Sequence, residues 1–449
     1  MPSFILYPLS FLVVLGIMIV VHEWGHYAAA KLLGVRVEVF SVGFGPRLLG
    51  FRRGDTDYRI SAIPLGGYVK MSGENPMEEA TGDPGEFMSH PRWHRFLIAI
   101  AGPFMNVALA VGLLTGLYVF HFEQPAYWDD PATVGWVKDG SPAAKVGIQP
   151  GDVIASIDGV TNPKWKQAMY KAALSPGQPL HLDVRRGGQT LNFTVVPDAA
   201  GVDRYGSAGW WPQEPVEVTT LGKDKPASKA GIQLGDVITS ADGVSMTALP
   251  ALFEHLQDGK GKPVALTVLR HGQAMNFTVQ PALDKSEGET EAYYRIGVGS
   301  ERTRVEQLPL GEAWRASLDE NRENSLMLGE LLQKLVRGRA SIKQISGPIG
   351  IGQAAGDAVE EGLQEKNWFR LLRLVTMISL NLGIFNLLPI PIMDGGVILL
   401  LILEGLMRRD ISLVVKERIY QTAFVFLVLF ASVVIFNDVT KVFSSGRLP

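Results

Sequence analysis

Four long apolar runs stand out along the chain. Residues 4–21, 96–120 and 419–436 contain no charged side chain, and residues 374–403 contain one, Asp394. A helix of about 20 apolar residues crosses a bilayer. The pattern therefore predicts four membrane spans. A cleaved signal peptide is the alternative for the first run, but that run lacks a basic start and stays apolar beyond any small-residue cleavage site.

Basic residues near the spans predict their orientation. They concentrate in the loop between the first two spans and in the loop between the last two, and cytoplasmic loops retain Lys and Arg. We therefore expect a multi-pass protein of the bacterial inner membrane, with both termini and residues 121–367 in the periplasm. The basic residues nearest the spans include Lys31, Arg36, Arg47, Arg52, Arg53, Arg92 and Arg95 in the first loop, and Arg408, Arg409, Lys416 and Arg418 in the second.

The outer segment contains an internal repeat. Residues 141–154 (SPAAKVGIQPGDVI) match residues 225–238 (KPASKAGIQLGDVI), and 186–195 match 270–279 in the same register. Such register over a long stretch indicates a duplicated domain. Each copy resembles PDZ domains of bacterial proteases, which implies an α+β fold with a groove that takes an extended peptide by strand addition. The alternative is a packing module without a ligand.

The motif that carries chemistry lies at the end of the first apolar run. His22-Glu23-Trp24-Gly25-His26 is H-E-x-x-H, and positions four apart share one face of a helix. Both imidazoles can therefore reach one metal ion, with Glu23 beside them to hold a water and take its proton. Ionisable residues inside an apolar helix are costly, so a functional site is the expectation here.

A third metal ligand is predicted from the third run. Asp394 is its one ionisable residue, in the segment Asn386-Leu-Leu-Pro-Ile-Pro-Ile-Met-Asp-Gly-Gly. Pro389 and Pro391 each remove a helix hydrogen bond, and irregular backbone survives at membrane depth only where it is buried in protein or lines a wet cavity. The alternative for Asp394 is a carboxyl group that hydrogen-bonds across helices.

Together these motifs resemble the site-2 protease family of intramembrane zinc metalloproteases. The resemblance implies Zn²⁺ bound by His22, His26 and Asp394, with Glu23 as general base and Asn386 positioning the substrate. It also implies the second cut in regulated intramembrane proteolysis. The partners expected are membrane-spanning protein substrates, such as an anti-sigma factor already trimmed outside, and remnant signal peptides.

A strand-like region follows the first span. Residues 35–42 and 58–71 alternate around Gly43-Phe44-Gly45. A hairpin there could present an edge that holds an unwound substrate extended. The family resemblance implies a membrane-associated β region with a G-x-G turn, so Gly43, Phe44 and Gly45 are expected to bind substrate. An ordinary cytoplasmic hairpin is the alternative.

Composition narrows the chemistry further. The chain has 0 Cys, which excludes disulfides and thiolate ligands and leaves His and carboxylates for any metal. Its net charge of -3, from 42 basic and 45 acidic residues, lacks the basic excess that nucleic acids attract. We expect the lipid bilayer as a partner, and no nucleic acid.

The predicted fold class is a polytopic α-helical membrane protein with four transmembrane helices, a membrane-associated β-hairpin region and two α+β PDZ domains. The predicted order is 1–33, the first span with H-E-x-x-H; 34–92, the cytoplasmic, membrane-associated β region; 93–121, the second span; 122–213 and 214–300, the two PDZ domains; 301–367, a periplasmic amphipathic helical segment; 368–406, the third span with N-x-x-P-x-P-x-x-D-G; and 416–440, the fourth span.

Two other functions compete with the protease. A membrane scaffold or chaperone would use its PDZ domains as the working part and its metal only for structure, which requires a fourth protein ligand that the sequence does not obviously supply. A zinc transporter would line a path through several spans, whereas the second and fourth apolar runs have no ionisable side chain.

Overall fold

The apolar runs form helices in the structure, a computed structural model that describes residues 3–74, 82–285 and 291–445. Four helical stretches are long and apolar enough to cross a membrane: Phe4–Leu32, Arg92–Phe120, Phe369–Asn386 and Leu413–Phe443. The helices are α1 (Ser3–Leu32), α2 (Arg92–Phe120), α3 (Pro142–Lys145), α4 (Trp165–Ala173), α5 (Pro226–Lys229), α6 (Leu249–Asp258), α7 (Leu310–Val336), α8 (Pro348–Glu365), α9 (Phe369–Asn386), α10 (Asp394–Met407) and α11 (Leu413–Ser445).

The strands form one long hairpin and several short sheets outside the apolar helices. They are β1 (Val37–Arg53), β2 (Thr56–Met71), β3 (Phe122–Pro125), β4 (Val134–Val137), β5 (Val153–Ile157), β6 (Val160–Thr161), β7 (Leu180–Arg186), β8 (Gln189–Val195), β9 (Asp198–Ala200), β10 (Tyr205–Ser207), β11 (Trp210–Pro212), β12 (Val216–Glu217), β13 (Thr220–Leu221), β14 (Val237–Ala241), β15 (Val244–Ser245), β16 (Val264–Arg270), β17 (Gln273–Val279), β18 (Ala282–Asp284), β19 (Tyr293–Arg295), β20 (Val298–Gly299) and β21 (Thr303–Glu306).

The third predicted span is not one continuous helix. The sequence predicts a single transmembrane helix over 368–406, but α9 ends at Asn386 and α10 begins at Asp394. The two prolines of the connecting segment cannot donate backbone hydrogen bonds, so the helix ends before them. A Cβ atom on Gly395 would come 2.3 Å from the carbonyl oxygen of Leu387. Only glycine therefore lets α10 begin so close to the end of α9.

The hairpin of β1 and β2 follows the first span, as the alternating pattern predicts. The strands pair antiparallel with several register shifts, so the ribbon bends between its base and its tip. Its base packs on the end of α1 through a cluster that includes Ala30, Val37 and Val69. Its tip carries exposed apolar side chains, which suits contact with lipid. They are Leu48, Leu49, Phe51, Ile60 and Ile63.

The two sequence repeats fold alike. The first contains a sheet ordered β6-β5-β7-β8, and the second contains a sheet in which β12, β14, β16 and β17 follow one another and β15 pairs with β14. Leu180 pairs with Val195 in the first, and Val264 pairs with Val279 at the equivalent place in the second. Each repeat encloses its own apolar cluster.

An Arg–Asp pair recurs in both repeats. Asp152 and Asp236 each accept a backbone hydrogen bond within a turn. Arg186 donates to Asp152 at 2.6 Å and Arg270 donates to Asp236 at 2.7 Å. The hydrogen bonds from Arg270 hold the pKa of Asp236 below its ordinary value. The pair therefore ties the turn to the end of a strand in each copy.

Helix α7 connects the repeats to the apolar helices. Ser317 donates to the carbonyl oxygen of Val111 in α2 at 2.9 Å. On another face, Lys166 of the first repeat lies 3.0 Å from Glu320 and 3.1 Å from Glu323. Burial opposes the charge on Lys166, but the two carboxylates outweigh it and raise its pKa. The amphipathic helix thus packs on a membrane span and on the first repeat at once.

Helix α8 lies between the first and last apolar helices. Asp438 of α11 is buried and accepts hydrogen bonds from the backbone N–H groups of Gly347, Ile349 and Gly350 at 3.0, 3.0 and 3.1 Å. A carboxylate at this position satisfies N–H groups that the first turn of a helix leaves unpaired. Tyr7 of α1 donates to Asp357 farther along α8 at 2.9 Å.

Candidate metal centre

Helix α1 brings the two histidines of the H-E-x-x-H motif to one site. Because they are four residues apart, their side chains lie one turn apart on the same face. Their Nε2 atoms are 3.2 Å apart, and both residues are buried. Helix α1 continues through the motif to Leu32, so the geometry follows from the spacing in the sequence.

The start of α10 supplies the third polar group. Asp394 Oδ2 lies 3.1 Å from His22 Nε2, and Asp394 Oδ1 lies 3.4 Å from His26 Nε2. All three ligand atoms lie within 4.8 Å of one another. Two imidazole nitrogens and one carboxylate oxygen form a donor set that catalytic zinc uses. The residues that the sequence predicts as ligands therefore converge and fit a zinc ion.

The other ring nitrogens are held by helix α2. His26 Nδ1 lies 2.8 Å from the carbonyl oxygen of Ile98, to which it donates. His22 Nδ1 lies 3.2 Å from the side-chain amide of Asn106. The Asn106 Oδ1 atom is buried without a hydrogen-bond partner, so turning the amide over would let this oxygen accept from His22 Nδ1. Both Nε2 atoms would then present a lone pair to a metal.

Sequence reasoning missed Asn106. The signal that could have found it is an amide side chain within the uncharged run 96–120. In the structure this residue is fully buried. A buried amide in a membrane helix needs a hydrogen-bond partner. Its partner could not be identified from spacing, because that depends on which face of α2 meets α1. That face is set by close approach, since a Cβ atom on Gly102 would lie 2.3 Å from His26 Nε2.

Glu23 is anchored to the hairpin. Its Oε2 atom accepts a hydrogen bond of 3.0 Å from the backbone N–H of Val69 in β2. One carboxylate oxygen is thereby fixed, and Glu23 lies beside the cavity that His22, His26 and Asp394 also line. This is the arrangement in which a carboxylate can hold a water next to a metal and exchange a proton with it.

A cavity of about 550 Å³ surrounds the centre. Phe44 and Asn386 line it, and the Asn386 amide nitrogen lies 3.5 Å from His22 Nε2. Gly43 and Gly45 do not line the cavity. They flank Phe44 with φ values of +90° and +87°, which favour glycine. The structure thus brings Phe44 and Asn386 to the cavity and places the two glycines beside Phe44 in the strand.

The sequence of the chain is similar to a known peptidase family along most of its length. The sequence profile of Peptidase family M50 matches residues 10–430. The regulator of sigma-E protease of Escherichia coli K12 is 32% identical over 455 residues, which cover 96% of this chain and 98% of that protein. The protease of the same name from Salmonella typhimurium strain 14028s gives the same identity and coverage.

Among solved structures, the PDZ domain of an SdrC-like protein from Listeria innocua is 21% identical and covers 20% of this chain and 96% of its own, with a TM-score of 0.17. The family assignment depends on the profile and on the full-length relatives. Since both extend over nearly the whole chain and include every residue of the centre, the protein belongs to peptidase family M50 and is a zinc metalloprotease of the site-2 type.

Proposed function

We propose that the protein is an intramembrane zinc endopeptidase that cuts the membrane helix of single-span proteins. The observation that carries the proposal is the convergence of His22, His26 and Asp394 beside Glu23 in one cavity. The three converging residues would hold the zinc ion. When bound, zinc would polarise the scissile carbonyl group and make a water more acidic. Glu23 takes a proton from that water and returns it to the leaving amine.

The substrate must be extended before its peptide bond can be attacked, because a helix encloses its own carbonyl and N–H groups. The hairpin of β1 and β2 places Phe44 at the cavity and the edge of a strand beside it. We assign Gly43, Phe44 and Gly45 to holding the unwound chain by strand addition. Asn386 would hydrogen-bond that chain from the side of α9.

The sigma-E pathway is the proposed setting. The relatives from Escherichia coli and Salmonella typhimurium are named regulators of sigma-E protease and match this chain along its full length. We therefore propose an anti-sigma factor, trimmed first outside the membrane, as a substrate, and remnant signal peptides as further ones. The distribution of basic residues supports an inner-membrane location with the termini and repeats in the periplasm.

We also propose that the two repeats are PDZ domains that control which substrates reach the centre. Strand β3, directly after α2, pairs with β21, directly before α7, so Pro125 lies opposite Thr303. Residues 126–302 can therefore be replaced by Asn-Gly, which closes a two-residue hairpin between the paired strands. The shortened protein should cut untrimmed substrate that the intact protein refuses. Unchanged selectivity would contradict the gating role, and the same deletion with Glu23→Gln provides the control.

The decisive experiment is cleavage of a single-span reporter in detergent, with the intact protein compared with Glu23→Gln and with chelator-treated protein. We expect no product from either, with zinc retained in the variant. Glu38→Gln is the matched control, because Glu38 is an exposed carboxylate paired with Lys70 at 2.8 Å. Cleavage that survives Glu23→Gln would favour the scaffold function instead.

A further inference from the structure

Arg95 is a buried cation in the same cavity as the metal centre. It lies in the first turn of α2, is 7% exposed, and lines the cavity together with His22 and Asp394. A buried guanidinium group ordinarily has a carboxylate or several hydrogen bonds to compensate its charge. Its surroundings therefore need an explanation.

The direct contacts of Arg95 with the described residues include no carboxylate. One terminal nitrogen donates to the Met88 sulfur at 3.4 Å, and Nε has no hydrogen-bond partner. Within residues 3–74, 82–285 and 291–445, no carboxylate oxygen lies within the 4.0 Å of an ion pair with it. Most N–H donors of this planar guanidinium group thus have no acceptor among the described residues.

The nearby acidic groups are engaged elsewhere. Asp410 pairs with Arg92 at 2.7 Å. Glu404 pairs with Lys416 at 2.7 Å and also accepts from the backbone N–H of Ile411. Both carboxylates therefore have a direct ion-pair partner other than Arg95 and act on Arg95 only from a distance.

One further acid lines the cavity. Glu74 accepts a hydrogen bond of 3.2 Å from the backbone N–H of Met71 and makes no ion pair with Arg95. The fork of Arg95 therefore stays open to a bound anion.

The position of Arg95 in α2 fixes its distance from the metal centre along the helix axis. Gly102, against which the His26 ring packs, comes seven residues later in α2. Seven residues are two helical turns, so the two positions share a face and are separated by about 10 Å along the axis. An extended chain rises about 3.3 Å per residue. In a substrate chain extended along α2, a residue about three positions from the scissile bond would therefore lie at the level of Arg95. This is toward the end of α2 that we expect in the cytoplasm.

We propose that Arg95 forms a carboxylate-binding subsite for the fragment that leaves on this side. The proposal rests on the proposed function. Hydrolysis adds water across the peptide bond, with the hydroxyl going to the acyl carbon and a proton to the amine, and the new acid ionises. For a substrate whose N-terminus is cytoplasmic, the fragment on the Arg95 side carries this α-carboxylate. The guanidinium fork binds it in a bidentate manner and draws it away from the metal.

An acidic side chain of the substrate could supply the same chemistry, and the experiment separates the two sources. Fluorescent apolar peptides are bound to full-length Glu23→Gln protein in detergent, with the C-terminus either a free acid or an amide. A second, fully amidated pair carries Glu or Gln three residues before the terminus. A carboxylate held by Arg95 should strengthen binding about tenfold to a hundredfold.

Introducing Arg95→Gln should abolish that preference and leave the affinity for the neutral peptide and the zinc content unchanged. Arg92→Gln is the matched control, since Arg92 is half-buried, pairs with Asp410 and does not line the cavity. If only the free-acid peptide binds more tightly than its amide, the ligand of Arg95 is the terminus of the product. If only the Glu peptide binds more tightly than the Gln peptide, the ligand is a side chain of the substrate.

The proposal is overturned if neither carboxylate strengthens binding. It is also overturned if the preference survives Arg95→Gln, because the carboxylate is then held by the metal. Cleavage by the protein with an intact Glu23 is measured separately, so failure of the protease assignment would show there and not in these affinities.

Discussion

Asn106→Ala tests how the centre holds its imidazoles. Asn106 is fully buried, and its side-chain amide lies 3.2 Å from His22 Nδ1. The substitution removes the group that fixes the ring and leaves a buried N–H without an acceptor. Loss of such an outer hydrogen bond lowers metal affinity by about 10- to 100-fold. The expected cost in zinc binding is therefore about 1.4 to 2.7 kcal/mol.

Zinc affinity is measured by competition with a chromophoric chelator, using Glu23→Gln protein so that self-cleavage plays no part. Asn106→Asp keeps an acceptor for the imidazole N–H and should retain the affinity. Ser379→Ala is the matched control, because Ser379 donates to the backbone carbonyl oxygen of Asn106 at 2.9 Å and does not touch the ring. An unaltered dissociation constant for Asn106→Ala, or an equal loss in Asn106→Asp, would refute the reasoning.

Three further predictions follow from packing and charge. Gly102→Ala should lose bound zinc by elemental analysis, because its Cβ would overlap a ligating imidazole, whereas Gly112→Ala should keep it, since nothing lies within 4 Å there. Arg270→Ala should lower the free energy of unfolding of the second repeat at pH 7 in calorimetry, because it leaves the Asp236 carboxylate without its partner. Because the folded pKa of Asp236 is depressed, this difference should shrink as the pH falls through that pKa. Asp438→Ala should speed hydrogen exchange of the three amides it holds at least tenfold, and unchanged exchange would contradict the cap.

The sequence predicts most of the architecture because its strongest signals are local. Apolar runs indicate the spans, the H-E-x-x-H spacing indicates a shared helix face, and the fixed register of the repeat indicates a duplicated domain. Even Asp394, 368 positions from His26 in the chain, could be connected to the motif, because a lone acid in an apolar run needs a polar partner. The structure brings these residues together in the expected way.

What the sequence could not supply depends on how the helices face one another. Asn106 and Arg95 both lie on α2, and their relation to the centre exists only because one face of α2 meets α1. The role of the segment that begins at Gly347 is likewise visible only in the structure, where Asp438 of α11 accepts hydrogen bonds from its N–H groups. Periodicity locates an element, but it does not state which neighbour that element meets.

The anchoring of α11 at its two ends has a consequence for how this part of the gene can vary. Lys416 and Asp438 fix the ends by specific polar contacts, whereas most side chains between them are exposed on the protein surface, with Ala423, Val434 and Asn437 as buried exceptions. Exchanges among Leu, Ile, Val and Phe along this middle stretch should be close to neutral, since lipid accepts any of them. Sequence changes should therefore accumulate between the two anchoring residues. A library randomised across α11 should recover the wild-type residue chiefly at Lys416 and Asp438.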